Sequence, residues 1–191
     1  MIRRSVAALA AFALASGLAA PAMAADEMWD GFLCCNYRYQ GDWMSDSNYL
    51  PHPLMPIGTP TKITDYGRYR VFTDMGGRKM RIGNDYSRNL SNVDFARRMV
   101  VRDDPRQKIA KFPPRIQQAI AGARLVNGMT KEQAIMAIGY PITSENPSFD
   151  APVWRYWLTS FEEFQVNWDA KGHIQSVSGL PTVLARVYDP K

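Results

Sequence analysis

The apolar positions change rhythm along the chain, and each rhythm predicts a different element. Residues 6–20 are almost continuously apolar. Residues 25–58 show no period: Trp29, Phe32, Tyr37, Tyr39, Trp43 and Tyr49 stand among polar residues, and Pro51, Pro53 and Pro56 interrupt any regular element. This stretch is expected to be an irregular, aromatic-rich arm whose rings either fasten it to a core or line a ligand groove. Strand formers then cluster at 62–66, 69–73 and 78–82, and the last two runs flank Asp74-Met75-Gly76-Gly77, which predicts a hairpin. Phe95, Ala96, Met99 and Val100 have helical spacing within 91–112. Ser91 is the expected N-cap, Asp94 lies in the first turn, and Asp103-Asp104-Pro105 is the expected end.

Pro113-Pro114 is the clearest boundary. Past it, Ile116, Ala119, Ile120 and Ala123 form one helical stripe, stopped by Asn127-Gly128. Thr130 and Gln133 have the spacing of a capping box, which opens a second helix with Ala134, Ile135 and Ile138 as its buried stripe. Gly139 and Pro141 end it. A joint of about four residues would make the two helices a compact hairpin. Alternation returns with Trp154, Tyr156 and Leu158, and again with Phe164, Val166 and Trp168. A loop ending in Gly172 leads to a third strand at 173–177. The expected class is α+β. It comprises a C-terminal two-layer ααβββ module, a helical hairpin on a three-stranded antiparallel sheet, preceded by a β-rich region with a hairpin and a short helix. The expected divisions are 1–24, 25–58, 59–112, 113–184 and a tail at 185–191.

Composition adds a compartment to this picture. The chain has 191 residues, of which 46% are hydrophobic and 21% charged, the balance of a globular protein. Arg3 and Arg4, the apolar run and Pro21-Ala22-Met23-Ala24 have the three-part layout of a cleavable secretory signal, with cleavage after Ala24 and delivery to the periplasm or envelope. Losing both arginines takes the formal charge from +5 to +3, which gives little reason to expect nucleic acid. The remaining basicity gathers on one hairpin, at Arg68, Arg70, Arg78, Lys79 and Arg81. Those residues are either solvated outward faces or a surface for anionic lipid or peptidoglycan. Gly76-Gly77-Arg78-Lys79 lacks the spacing of a phosphate loop.

The only cysteines are Cys34 and Cys35. Neighbouring Cα atoms stand about 3.8 Å apart, closer than the usual disulfide range. The readings left open are buried thiols, a bridge between chains, or a lipid-modified cysteine.

The C-terminal residues resemble a known family. Gly128-Met129-Thr130-Lys131-Glu132-Gln133, then Ile138-Gly139-Tyr140-Pro141, then Trp154-Arg155-Tyr156, then Val166-Asn167-Trp168-Asp169-Ala170-Lys171-Gly172 look like the SmpA/OmlA domain of BamE-like outer-membrane assembly factors. The resemblance covers residues 114–180. It implies the ααβββ fold, protein binding without catalysis, and possible links to outer-membrane assembly or integrity. The chain departs from the family in three respects: it lacks a cysteine directly after the leader, it has residues 25–112 ahead of the domain, and Trp168 stands where Phe is usual. Gly128, Met129, Thr130, Gln133, Gly139, Pro141, Trp154, Tyr156 and Gly172 are expected to serve structure. Tyr140 and Trp157 fall off the core alternation and are the contact candidates, with Arg70, Arg78 and Arg81 on the hairpin.

No nucleophile with a base, carboxylate pair or metal cluster has a recognisable spacing. Glu162 and Glu163 would point to opposite strand faces. His52 and His173 are isolated. The expected protein is therefore an exported, non-catalytic interaction module with an envelope protein partner, and no cofactor or metal. Peripheral association with the outer membrane or cell wall is also expected to be open to it. The alternatives are a peptidoglycan or anionic-lipid binder and, behind it, a periplasmic hydrolase.

Overall fold

A computed structural model describes residues 27–49 and 51–190. The leader reading at 1–24 lies outside the described residues. The chain folds as a mixed α+β protein. From the arm come β1 (Asp30–Leu33), β2 (Tyr37–Arg38), β3 (Trp43–Ser45) and β4 (Leu54–Met55). Then follow β5 (Pro60–Gly67), β6 (Arg70–Met75), β7 (Arg78–Gly83), α1 (Asn92–Met99), β8 (Val100–Val101) and α2 (Arg106–Ile109). The C-terminal part holds α3 (Pro114–Ala121), β9 (Leu125–Val126), α4 (Lys131–Ile138), β10 (Val153–Trp157), β11 (Glu163–Trp168), β12 (Ile174–Gly179), α5 (Pro181–Val187) and β13 (Tyr188–Asp189).

The arm is not irregular. It supplies strands to a six-stranded sheet ordered β3-β7-β6-β5-β1-β8. β1 pairs antiparallel with β5 and β8, placing Phe32 opposite Val101, and β3 runs parallel to β7 with Trp43 opposite Arg81. The prolines cut the arm into pieces too short to show a period, and each piece finds its partner far along the chain. The meander at the sheet's centre is built locally. Gly76 and Gly77 both take positive φ (63° and 90°), the backbone that a two-residue turn between β6 and β7 requires.

Helix α1 stops at Met99, sooner than its apolar spacing suggests. Val100 and Val101 leave the helix to pair with β1, where β-branched side chains pack well. Helix α3 also ends early, at Ala121. Ala123 adopts φ +51°, and the N–H groups of Ala123 and Arg124 donate to the carbonyls of Ile120 and Ala119. The chain then spends Leu125 and Val126 on β9, which pairs parallel with β13, so the joint between α3 and α4 is longer than the spacing implies. Helix α5 runs across the boundary placed before the tail at 185.

In α4 the fully buried residues are Ala134, Met136 and Ala137, whereas Ile135 and Ile138 are half-buried. The expected stripe is rotated because both sides of this helix are covered. One hydrophobic cluster joins α3, α4 and the sheet β10-β11-β12, including Ile120, Ala137, Trp154, Val166 and Trp168. The other fills the space between the six-stranded sheet and α1, including Leu33, Tyr37, Met44, Ile82 and Phe95. Ile135 touches both. Among the described residues, no helix is long and apolar enough to cross a membrane.

Candidate functional site

Helix α4 is positioned by the arm. Asn36 is 2% exposed, and its Nδ2 donates to the carbonyls of Ile120 (2.5 Å) and Ala137 (3.2 Å). Its backbone N–H donates to Met136, and its Oδ1 accepts the N–H of Ile57 at 2.9 Å. Asn48 adds a bond from Nδ2 to the Ile138 carbonyl at 2.7 Å and one to the Asn36 carbonyl at 3.1 Å. The Ile120, Met136, Ala137 and Ile138 carbonyls lie at the C-terminal ends of α3 and α4, where the helix itself supplies few donors. The approach is close. A Cβ on Gly139 would stand 3.0 Å from both Asn48 Nδ2 and the Tyr37 ring, and Gly139 also needs φ +84°.

With α4 so held, one of its faces lines a groove of about 480 Å³ where the two cores meet. The apolar lining comes from both halves: Cys34 and Val101 from the first, and Ile135, Met136, Tyr140, Phe149 and Trp154 from the second. The rings form a chain, with Tyr140 to Phe149 centroids 6.0 Å apart, Phe149 to Trp154 5.5 Å and Trp154 to Trp168 4.7 Å. Cations lie on these rings. The Arg98 guanidinium is 4.8 Å from the Phe149 centroid and 5.6 Å from that of Tyr140, and Lys131 Nζ is 5.2 Å from that of Trp154. Lys131 also donates to the Phe149 carbonyl. The rim is ionic, with Lys108 paired to Glu132 across the groove and Asp104 to Arg106. Burial raises the pKa of the Tyr140 hydroxyl. An apolar floor inside a rim of both charge signs suits binding of an amphipathic chain segment. It carries no paired nucleophile and base.

The structure scatters the other predicted contact residues. Trp157 is half-buried and borders a separate space of about 30 Å³, beside Asn36 and Tyr156. The arginines are drawn together around the arm. Arg70 lies 4.2 Å and Arg81 5.6 Å from the Trp43 ring centroid, and Arg78 lies 4.3 Å from that of Tyr39. Arg70 also pairs with Asp85 and Arg81 with Asp42, while Arg78 donates to the Gly41 carbonyl. The residues behind the C-terminal resemblance take part in caps, turns and cores. Thr130 and Gln133 form a complete capping box. Gly128 and Gly172 take positive φ (82° and 77°), Met129 and Trp154 are buried, and Pro141 is buried behind the end of α4. The Tyr156 hydroxyl donates to the Gly139 carbonyl at 3.2 Å.

Cys34 and Cys35 are joined to each other, with Cα atoms 3.8 Å apart. This replaces the readings of free thiols, a bridge between chains and a lipid-modified cysteine. Both residues are buried against the first core, where each sulfur has the other as its nearest chemical partner. Cys34 thereby becomes part of the groove floor, a role with no sequence signal. Arg98 and Phe149 were also missed, because neither belongs to an apolar period. Phe161, 94% exposed between β10 and β11, had a weak signal as an aromatic in a turn. Among the described residues, no group of three or more His, Cys, Asp or Glu side chains is placed to hold a metal ion.

No protein-family model, no curated protein and no solved structure matches this chain.

Proposed function

We propose that this chain is an exported cell-envelope interaction module, BamE-like in its C-terminal part, that acts by binding a partner protein and not by catalysis. The observation that carries this reading is the groove between the two cores. It has the size of a recognition site and an apolar, ring-lined floor. Its charged rim would orient an amphipathic segment of the partner. The family reading is supported by the capped α4, the aromatic strand β10 and the hairpin joining β11 to β12, which lie in the expected order. In the finer reading, the module is a helical hairpin on a three-stranded antiparallel sheet. Strand β9 between the helices, then α5 and β13 after the sheet, are additions to that plan. The periplasm is the compartment the leader reading assigns. The basic hairpin is the weaker site, because Arg70, Arg78 and Arg81 are already laid on aromatic rings.

Site-specific photo-crosslinking in the exporting cell tests this. A photoreactive residue at Ile135, on the groove face of α4, is expected to form an adduct with one envelope protein. The same residue at Lys79, on the hairpin, is expected to form none. Adducts from Lys79 alone, or retention of the unprocessed chain in the cytoplasm, would overturn the reading.

A further inference from the structure

A second cavity of about 250 Å³ shares no lining residue with the groove. It lies where the arm folds over the end of β7, between Arg38, Trp43, Ser45, Tyr49, Asp85 and Tyr86. Its volume falls below the about 300–1,000 Å³ of drug-sized sites, which fits one ring-shaped group better than a peptide segment.

Its polar groups are ordered in advance. Ser47 Oγ donates to Ser45 Oγ at 3.0 Å, and Ser45 Oγ donates to Asp85 Oδ2 at 2.8 Å. Arg70 Nη1 donates to Asp85 Oδ1 at 3.3 Å. The Asp85 charge is thus already answered, and Ser47 Oγ keeps lone pairs to accept a ligand hydroxyl. Arg38 differs. It is half-buried, and of its donors Nη1 bonds the His52 carbonyl at 2.9 Å. No carboxylate among the described residues pairs with it. Burial, with Arg186 nearby, lowers its pKa. A partly desolvated guanidinium without a counter-charge is costly unless a ligand supplies one. Aromatic surface completes the site. Tyr86, 44% exposed, Tyr49 and Trp43 all line the cavity, and Arg70 covers the Trp43 ring. The electron-rich ring face suits the polarised C–H groups of a sugar ring.

We propose that this cavity, which Ser47 and Gln40 also line, binds a saccharide bearing a carboxylate, with the carboxylate on Arg38, hydroxyls on Ser47 and Gln40, and the ring against Tyr86. A monoanion fits better than phosphate, because Arg38 is the one arginine or lysine of the lining and balances one negative charge. This site is independent of the protein-binding groove. Its failure would leave the reading of that groove untouched.

The test is titration calorimetry on the exported, processed protein with four probes: N-acetylmuramic acid, glucuronic acid, N-acetylglucosamine and glucose. The two acids distinguish a wall-glycan source from a uronic-acid polymer. At least one acid is expected to bind about tenfold or more tightly than its neutral counterpart. Arg38→Gln should abolish that preference while the neutral sugars change by less than about twofold. Tyr86→Ser, at an exposed position, should weaken acid and neutral sugars alike with the melting temperature unchanged. Binding of none of the four at millimolar concentration would overturn the proposal. So would neutral sugars bound as tightly as the acids, or a preference that survives Arg38→Gln.

Discussion

The two ends of α4 are held in opposite ways. At the N-terminus, Gln133 N–H donates to Thr130 Oγ1 at 3.2 Å and Thr130 N–H donates to Gln133 Oε1 at 3.0 Å, all within one turn. At the C-terminus the carbonyls of Met136, Ala137 and Ile138 are met by Asn36 and Asn48, with Asn36 and Ala137 101 positions apart in sequence. The first cap is local chain chemistry. The second exists only when the arm has folded across the helix, and its amide is buried. Losing a solvent-accessible cap returns the helix end to water. Losing the buried one strands polar groups where water does not reach. The seam that forms the groove thus depends on a few desolvated bonds as well as on apolar packing.

The largest test of this comparison is Asn36→Ala. It strands the carbonyl of Ala137 and the N–H of Ile57, while the Ile120 carbonyl keeps the Ala123 N–H. Each stranded buried group costs about 1–3 kcal/mol, so a total loss of about 3–5 kcal/mol is expected by urea unfolding. A loss of about 1 kcal/mol or less would show that water reaches the seam, and the two helix ends would then be alike.

Asp46 is a second buried stitch from the arm, and it carries a charge. It is 2% exposed, and its carboxylate accepts the N–H groups of Asp85 (3.2 Å) and Tyr86 (3.1 Å). Burial pushes its pKa up to about 6, against the opposing effect of its bonds from Ser87 and Tyr86. The folded state therefore holds this proton more tightly than the unfolded chain does. Stability from this group is full below about pH 4, falls as pH rises from about 4 to about 6, and is level above that. The shift corresponds to about 3 kcal/mol. Asp46→Asn keeps an oxygen for both N–H groups and can donate to Ser87. It should flatten the fall between pH 4 and 6 and raise stability at pH 7 by up to about 3 kcal/mol. An unchanged pH profile would mean that the carboxylate is hydrated.

The local cap gives a smaller effect. Thr130→Ala removes one part-buried bond of the capping box and should cost about 1 kcal/mol in thermal unfolding. The contrast with Asn36→Ala sharpens if the loss is that small. It dissolves if the two losses are equal.

The same contrast separates what was legible in the sequence from what was not. Elements whose partners lie within a few residues could be read: the Gly76-Gly77 turn, the Thr130–Gln133 box, and the inward alternation of β10 and β11. Elements whose partners lie far away could not. β1 and β3 have no period of their own, and their places depend on β5, β7 and β8. The ends of α1 and α3 are set by Val100 and Leu125 leaving for distant strands, which overrides continuing helical spacing. An asparagine in an arm without rhythm gives no sign that it caps two helices. For the groove, Tyr140 was legible because it falls outside the alternation. Cys34, Phe149 and Arg98 were not, because the fold alone brings those three segments together.

Phe161 gives the smallest effect and tests the comparison from outside both cores. Its ring is 94% exposed between β10 and β11, and its backbone N–H donates to Thr159 Oγ1 at 3.2 Å, a bond any residue there can make. Phe161→Ser should therefore change stability by less than about 0.5 kcal/mol. Phe161 lines neither the groove nor the polar cavity. Adducts formed from a photoreactive residue at Ile135 should accordingly keep the yield of the parent chain. A lower yield with an unchanged melting temperature would extend the partner's contact from the groove to this hairpin tip. An exposed aromatic there would then be an anchor, since a ring left in water contributes nothing to the fold and has its full apolar surface to bury on binding.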